Sequence, residues 1–151
     1  MTEYSGFKQQ RGVTLLELMI VVVIVAIIAS FAYPSYTQFV LRAKRTAATS
    51  MLLQIADRQQ QFFMDNKQYA ANLTRLGFAA NTVMIDEEGA IVPDASDDRI
   101  YNISVSASTA TTYALTAAPQ LVQASKDTKC GSLTLSNTGV KGHSGSGADC
   151  W

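Results

Sequence analysis

From Val13 to Tyr33 the chain is predominantly apolar and carries one charged side chain, Glu17. A helix needs about 20 predominantly apolar residues to cross the hydrocarbon core of a bilayer, and this run meets that length. A carboxylate near the bilayer centre costs roughly 2.5–3.5 kcal/mol, so an ordinary anchor has no reason to carry one. The cost is offset if a second structure, outside the lipid, supplies a positive partner. Glu17 therefore points to a segment that leaves the membrane to join an assembly.

The preceding stretch, 1–12, is short and polar, with Glu3, Lys8 and Arg11. A secretory signal peptide is the competing reading, because Ser30-Phe31-Ala32 offers a small-x-small cleavage pattern. Against it, the apolar run is long for a signal core and Glu17 sits inside it. The flanking cations Lys8 and Arg11 before the run, and Arg42, Lys44 and Arg45 after it, slightly favour a cytoplasmic C-terminal side. The cysteines argue the reverse. Cys130 and Cys150 are the only two, and both lie in the polar C-terminal region, as expected of a disulfide in an oxidising compartment. Two unpaired thiols are the alternative. Arg42 also lies well beyond Tyr33, so the N-terminus is expected inside and the bulk of the chain outside.

Gly12-Val13-Thr14-Leu15-Leu16-Glu17, followed by the apolar run and Pro34, resembles the N-terminal signature of type IV prepilins. The resemblance implies that prepilin peptidase cuts between Gly12 and Val13 and methylates the new amine of Val13. It places Glu17 at the fifth mature residue and Pro34 at a characteristic kink. The family's usual first mature residue is Phe, where this chain has Val13. It further implies an inner-membrane precursor and mature pool, handling by the inner-membrane assembly machinery, and incorporation beside other pilin subunits, major and minor, in an extracellular pilus. In staggered parallel helices, Glu17 of one subunit can meet the Val13 ammonium of a neighbour. Such a buried pair only about breaks even as stabilisation, so its expected contribution is register. An intrahelical contact between Val13 and Glu17 is the bland alternative.

Pro34 lacks a donor and clashes with the preceding turn, so a kink or local loosening is expected there. The helical pattern resumes at once. Tyr36, Phe39, Val40, Ala43, Ala47, Met51, Leu52, Ile55, Ala56 and Phe62 recur at spacings of three and four, with Arg42, Lys44, Arg45, Gln54, Asp57, Arg58 and Gln61 mostly on other positions. One helix ending near Met64–Lys67 is predicted, about 78 Å long from Val13 to Met64. Asn81 to Asp98 reads as an irregular acidic loop without calcium-loop spacing. Alternation over Ile100–Ala107, Thr112–Ala118 and Ser132–Ser136 predicts antiparallel strands, with a short one near Val140.

The expected fold class is α+β: a long N-terminal α-helical spine packed on a small antiparallel β-sheet, the pilin fold. Its divisions are the leader 1–12, an apolar transmembrane and filament-core helix 13–35, and a globular domain 36–151 of modest core. Gln61-Phe62-Phe63-Met64-Asp65-Asn66, Tyr69, Leu76-Gly77, Tyr113-Ala114-Leu115-Thr116 and Cys130-Gly131-Ser132-Leu133-Thr134 resemble minor pilins of type IVa systems. In the resemblance, a Cys130–Cys150 bond bounds an exposed variable loop.

No catalytic constellation stands out. His143 is the only histidine and lies in a Gly/Ser stretch with no oxyanion motif, and two cysteines and one histidine are too few for a closed zinc site. No cofactor is implied. DNA is a possible partner through Lys126, Lys129 and Lys141, but with Glu3, Lys8 and Arg11 set aside the 12 basic and 12 acidic residues become 10 and 11, which gives no basic bias. A structural pilus subunit, minor in type and serving assembly or initiation, adhesion or twitching motility, is the first reading. A DNA-binding competence pilin and a pseudopilin of a type II secretion system are the alternatives.

Overall fold

The computed structural model describes residues 13–151. The leader, with Gly12 on one side of the expected cleavage point, lies outside the described residues. The chain divides into two compact units, one running to Thr37 and the other spanning Gln38–Trp151.

Helix α1 (Leu15–Asn66) is 52 residues long. Thr14 sets its start: the Glu17 backbone N–H donates to Thr14 Oγ1 at 3.2 Å, and Leu18 N–H to the Thr14 carbonyl at 3.1 Å. In the first unit every residue from Val13 to Tyr36 is exposed, apolar side chains included. The helix continues through Pro34. The missing Pro34 N–H leaves the Ser30 carbonyl without its usual donor, and the Thr37 hydroxyl takes the Pro34 carbonyl at 2.9 Å.

In the second unit, Ala48, Met51, Leu52 and Ile55 form the buried stripe of α1, and Arg45 and Gln59 extend it with polar ends. Tyr36, Phe39 and Ala43, read from their spacing as part of this stripe, are exposed instead. Gln59 is satisfied by two bonds to one residue: Nε2 donates to the Ala70 carbonyl at 2.9 Å, and Ala70 N–H donates to Oε1 at 2.8 Å. A polar side chain thus fixes the turn after the helix from inside the core.

The stripe packs on an antiparallel sheet of order β2-β1-β3-β4-β5-β6. The strands are β1 (Thr82–Ile85), β2 (Ile91–Val92), β3 (Tyr101–Ser108), β4 (Tyr113–Pro119), β5 (Leu133–Ser136) and β6 (Lys141–His143). Register brings inward residues opposite one another, as in Ile103 with Ala117, Ala117 with Leu133 and Leu115 with Leu135. A short helix, α2 (Leu121–Lys126), connects β4 towards β5. The α+β expectation holds, with six strands in place of three or four.

The additional pair lies in the stretch read as an irregular acidic loop. Val83, Met84 and Ile85 are buried in β1, and the hairpin turns on Asp86, whose Oδ1 accepts from Glu88 N–H at 3.1 Å and Ala90 N–H at 2.8 Å. Gly89 (φ 81°) supplies the left-handed backbone that the turn requires. His143, read as a loop residue, ends β6.

Candidate functional site

The start of α1 carries one charged side chain, Glu17. Thr14-Leu15-Leu16-Glu17 has the Thr-x-x-Glu spacing of a capping box, and the bond from Glu17 N–H to Thr14 Oγ1 is its first half. Glu17 is exposed, and among the described residues its carboxylate has no ionic partner. The cap explains the conformation of the first turn. It gives no reason for a full negative charge where apolar side chains are exposed on every side.

A second polar centre lies within the globular unit. Cys130 and Cys150 are bonded, with Cα atoms 5.4 Å apart and a sequence separation of 20 residues. Closing a loop of this size stabilises by roughly 3 kcal/mol on chain-entropy reasoning. The loop has little apolar content and is held by backbone bonds instead. Gly145 N–H donates to the Cys130 carbonyl at 3.0 Å and Gly147 N–H to the Lys129 carbonyl at 2.7 Å. A Cβ on Gly145 would run into the Lys129 carbonyl, so the close approach requires glycine. Trp151 Nε1 donates to the Gly142 carbonyl at 2.7 Å, with the Lys141 ammonium 5.3 Å from the indole centre.

Behind this loop, Arg45 is buried in a network that its place on the charged side of the helical pattern did not suggest. Its Nη1 donates to the Asp149 carbonyl at 2.8 Å and lies 2.9 Å from Cys130 Sγ. Its Nε sits 3.1 Å from Asp127 Oδ2, though not aligned as a hydrogen bond. Gln123 Nε2 donates to the same Asp127 oxygen at 3.0 Å and to the Tyr101 hydroxyl at 3.2 Å, and that hydroxyl lies 3.5 Å from Asp127 Oδ2. One guanidinium thereby joins the helix, the end of α2 and the disulfide. Burial raises the Asp127 carboxyl above the usual carboxylate range, with Arg45 first among the groups pulling it back. Lys44, the next residue, pairs with Glu87 at 2.7 Å. Arg45 and Lys44 are thus both engaged within their own chain.

Burial also pushes the Tyr101 phenol up to about 12. A folded-state value above the unfolded one near 10 means that this contribution to stability is fully present below about pH 10 and is lost as pH rises through 12. At 1.36 kcal/mol per unit the loss is about 2–3 kcal/mol. Urea unfolding of the full chain in detergent at pH 9 and pH 12 should show this drop, and Tyr101→Phe should remove most of it.

Lys126, Lys129 and Lys141 are all exposed. Lys126 ends α2 and Lys129 precedes Cys130, both ahead of the disulfide loop, whereas Lys141 opens β6 inside it. Among the described residues none of them forms an ion pair. Among the same residues, no group of three or more His, Cys, Asp or Glu side chains is arranged to hold a metal ion.

Comparison with known proteins gives two family matches. Residues 34–134 match the family described as "Type IV minor pilin ComP, DNA uptake sequence receptor", and residues 7–33 match the "Prokaryotic N-terminal methylation motif". The "Type IV major pilin protein PilA" of Myxococcus xanthus is 38% identical over 71 residues, covering 47% of this chain and 32% of that protein. A "Fimbrial protein" of Neisseria meningitidis is 33% identical over 73 residues, covering 48% of this chain and 43% of its own length. The chain thus spans less than half the length of these two relatives. A solved type IV pilin from Shewanella oneidensis overlaps 74% of this chain and 97% of its own at 19% identity, with a TM-score of 0.46. The first family match takes in the second half of α1, the four strands β1 to β4, α2 and the first two residues of β5. On that extent of agreement, this chain belongs to the type IV pilins, structural subunits rather than enzymes, within the family described as type IV minor pilin ComP.

Proposed function

We propose that this pilin is a minor subunit, held in the inner membrane by residues 13–35 until it is drawn into a type IV pilus. Prepilin peptidase cuts between Gly12 and Val13 and methylates the Val13 amine. The inner-membrane assembly machinery then moves the chain into an extracellular filament beside other pilin subunits. One observation carries this reading: a helix start whose apolar side chains are all exposed, with Glu17 the only charge among them. Burial of that surface in lipid leaves Glu17 unmatched, whereas a neighbouring subunit's Val13 ammonium matches it. Pro34 is the point at which the helix bends or loosens on leaving lipid. The test is recovery of the chain from sheared filaments and from membranes, with its N-terminus determined in each.

A second role is favoured by the match of residues 34–134 to a family described as a DNA uptake sequence receptor. In this role the exposed Lys126, Lys129 and Lys141 contact phosphates, the first two just ahead of the disulfide loop and the third within it. Three neutralised phosphates give a slope of about −2.7 in log affinity against log salt. Gel shifts of duplex DNA with the full chain in detergent should show that slope, and alanine at all three lysines should abolish the shift. Binding that ignores salt, or survives the triple substitution, removes these lysines from the role.

A further inference from the structure

The disulfide and Arg45 have chemistry that pilus assembly does not use. A cleft of about 350 Å³ is lined by Arg42, Arg45, Thr46, Thr49, Asp149, Cys150 and Trp151. Cys150 is part of its wall and Cys130 is not. Cys130 Sγ instead lies 2.9 Å from Arg45 Nη1, in buried surroundings. The two sulfurs are therefore unequal. Both cysteines are 4% exposed, and they differ in their neighbours: Cys150 belongs to the lining of a cleft that also holds two guanidinium groups, and Cys130 Sγ rests against one of those groups.

We propose that the Cys130–Cys150 bond is a thiol–disulfide exchange site, attacked at Cys150 Sγ through this cleft by a small anionic thiol, with Cys130 as the leaving thiolate.

The incoming thiolate's electron pair forms a new S–S bond to Cys150 Sγ. The Cys130–Cys150 bond breaks, and its pair stays on Cys130 Sγ as a thiolate. A second thiolate then attacks the reagent's own sulfur in the mixed disulfide and releases Cys150. Two electrons pass to the cysteine pair and the reagent leaves as its disulfide. The direction of cleavage follows from the leaving group, since the thiol of lower pKa leaves faster. A neighbouring Arg lowers a thiol's pKa, and Arg45 adjoins Cys130. Arg42 and Arg45 also attract an anionic reagent to the cleft, while the Asp149 carboxylate on the same lining opposes it.

The charged and titratable groups around the sulfurs are Arg45, Arg42 and Asp149, with Asp127 and Tyr101 behind Arg45. Asp127 shares the guanidinium that would stabilise the Cys130 thiolate. Neutralising Asp127 should therefore release Arg45 to the sulfur and make the bond easier to reduce.

The experiment treats the oxidised full chain in detergent micelles with reduced glutathione, a tripeptide thiol with two carboxylates. Released thiols are trapped with an alkylating reagent, and the adducts are mapped by mass spectrometry. The expected product carries glutathione on Cys150 and the alkyl group on Cys130, at least about tenfold over the opposite isomer. Equal labelling, the opposite preference, or glutathione adducts that form only after unfolding in urea would overturn the proposal. Against a glutathione redox buffer, Asp127→Asn should raise the equilibrium constant for reduction about tenfold, a shift of ~30 mV. An unchanged constant in a folded variant would refute the role of Arg45. The adduct map on the unaltered chain stands apart from that variant's folding.

Discussion

Asp127→Ala should be the most damaging single substitution in the globular unit, costing about 3–5 kcal/mol, the usual result of removing one member of a buried ion pair. Asp127 is 3% exposed and Arg45 7%, so water cannot take over the pairing in place. The substitution leaves Arg45 with the Asp149 carbonyl and the Cys130 sulfur, and it removes the acceptor that Gln123 uses. Thermal unfolding of the full chain in detergent should show a midpoint lowered by about 10 °C or more. The cost lies in the unmatched charge more than in the lost contact. Replacing both partners with apolar residues, Arg45→Met with Asp127→Leu, should therefore recover most of it. A double variant as unstable as Asp127→Ala would locate the cost in shape instead.

Glu17→Ala should insert in the membrane and be cleaved, yet enter filaments poorly. An unmatched Val13 ammonium in the filament core costs enough that incorporation should fall at least tenfold, the equivalent of about 1.4 kcal/mol. The bond from Glu17 N–H to Thr14 Oγ1 raises a rival account, in which the residue serves the helix cap alone. Glu17→Gln separates the two. Glutamine occupies the same place in a capping box but carries no charge. If charge sets the register, the Gln variant fails like the Ala variant, measured as the ratio of sheared to membrane-bound subunit by immunoblot. Normal incorporation of Glu17→Gln would assign the residue to the cap.

The elements legible in the sequence were those with a long, regular pattern. The apolar run, the helix to Asn66 and the strands over 101–108, 113–119 and 133–136 follow from periodicity, and two cysteines left one pairing to consider. The β1–β2 hairpin was not legible, because Thr82–Ile85 is too short to show alternation and acidic residues flank it on the C-terminal side. Arg45 was misread, and Gln59 missed, for a different reason. Helical spacing assigns a face by polarity, and both residues are polar on a buried face, each bonded to a backbone carbonyl beyond the helix. Asp127 in particular is 82 positions from Arg45 along the chain, so no local pattern could pair them. Thr14 was the missed signal closest to hand: Thr three residues before Glu at the start of an apolar helix is itself a capping pattern.

The N-terminus of the mature chain separates a processed pilus subunit from a secreted domain that has lost its signal peptide. Intact-mass and N-terminal peptide measurement of the protein recovered from membranes and from sheared surface filaments should find N-methylated Val13 in both fractions. An N-terminus at Tyr33 in the recovered protein would make the apolar run a discarded signal peptide and contradict the account.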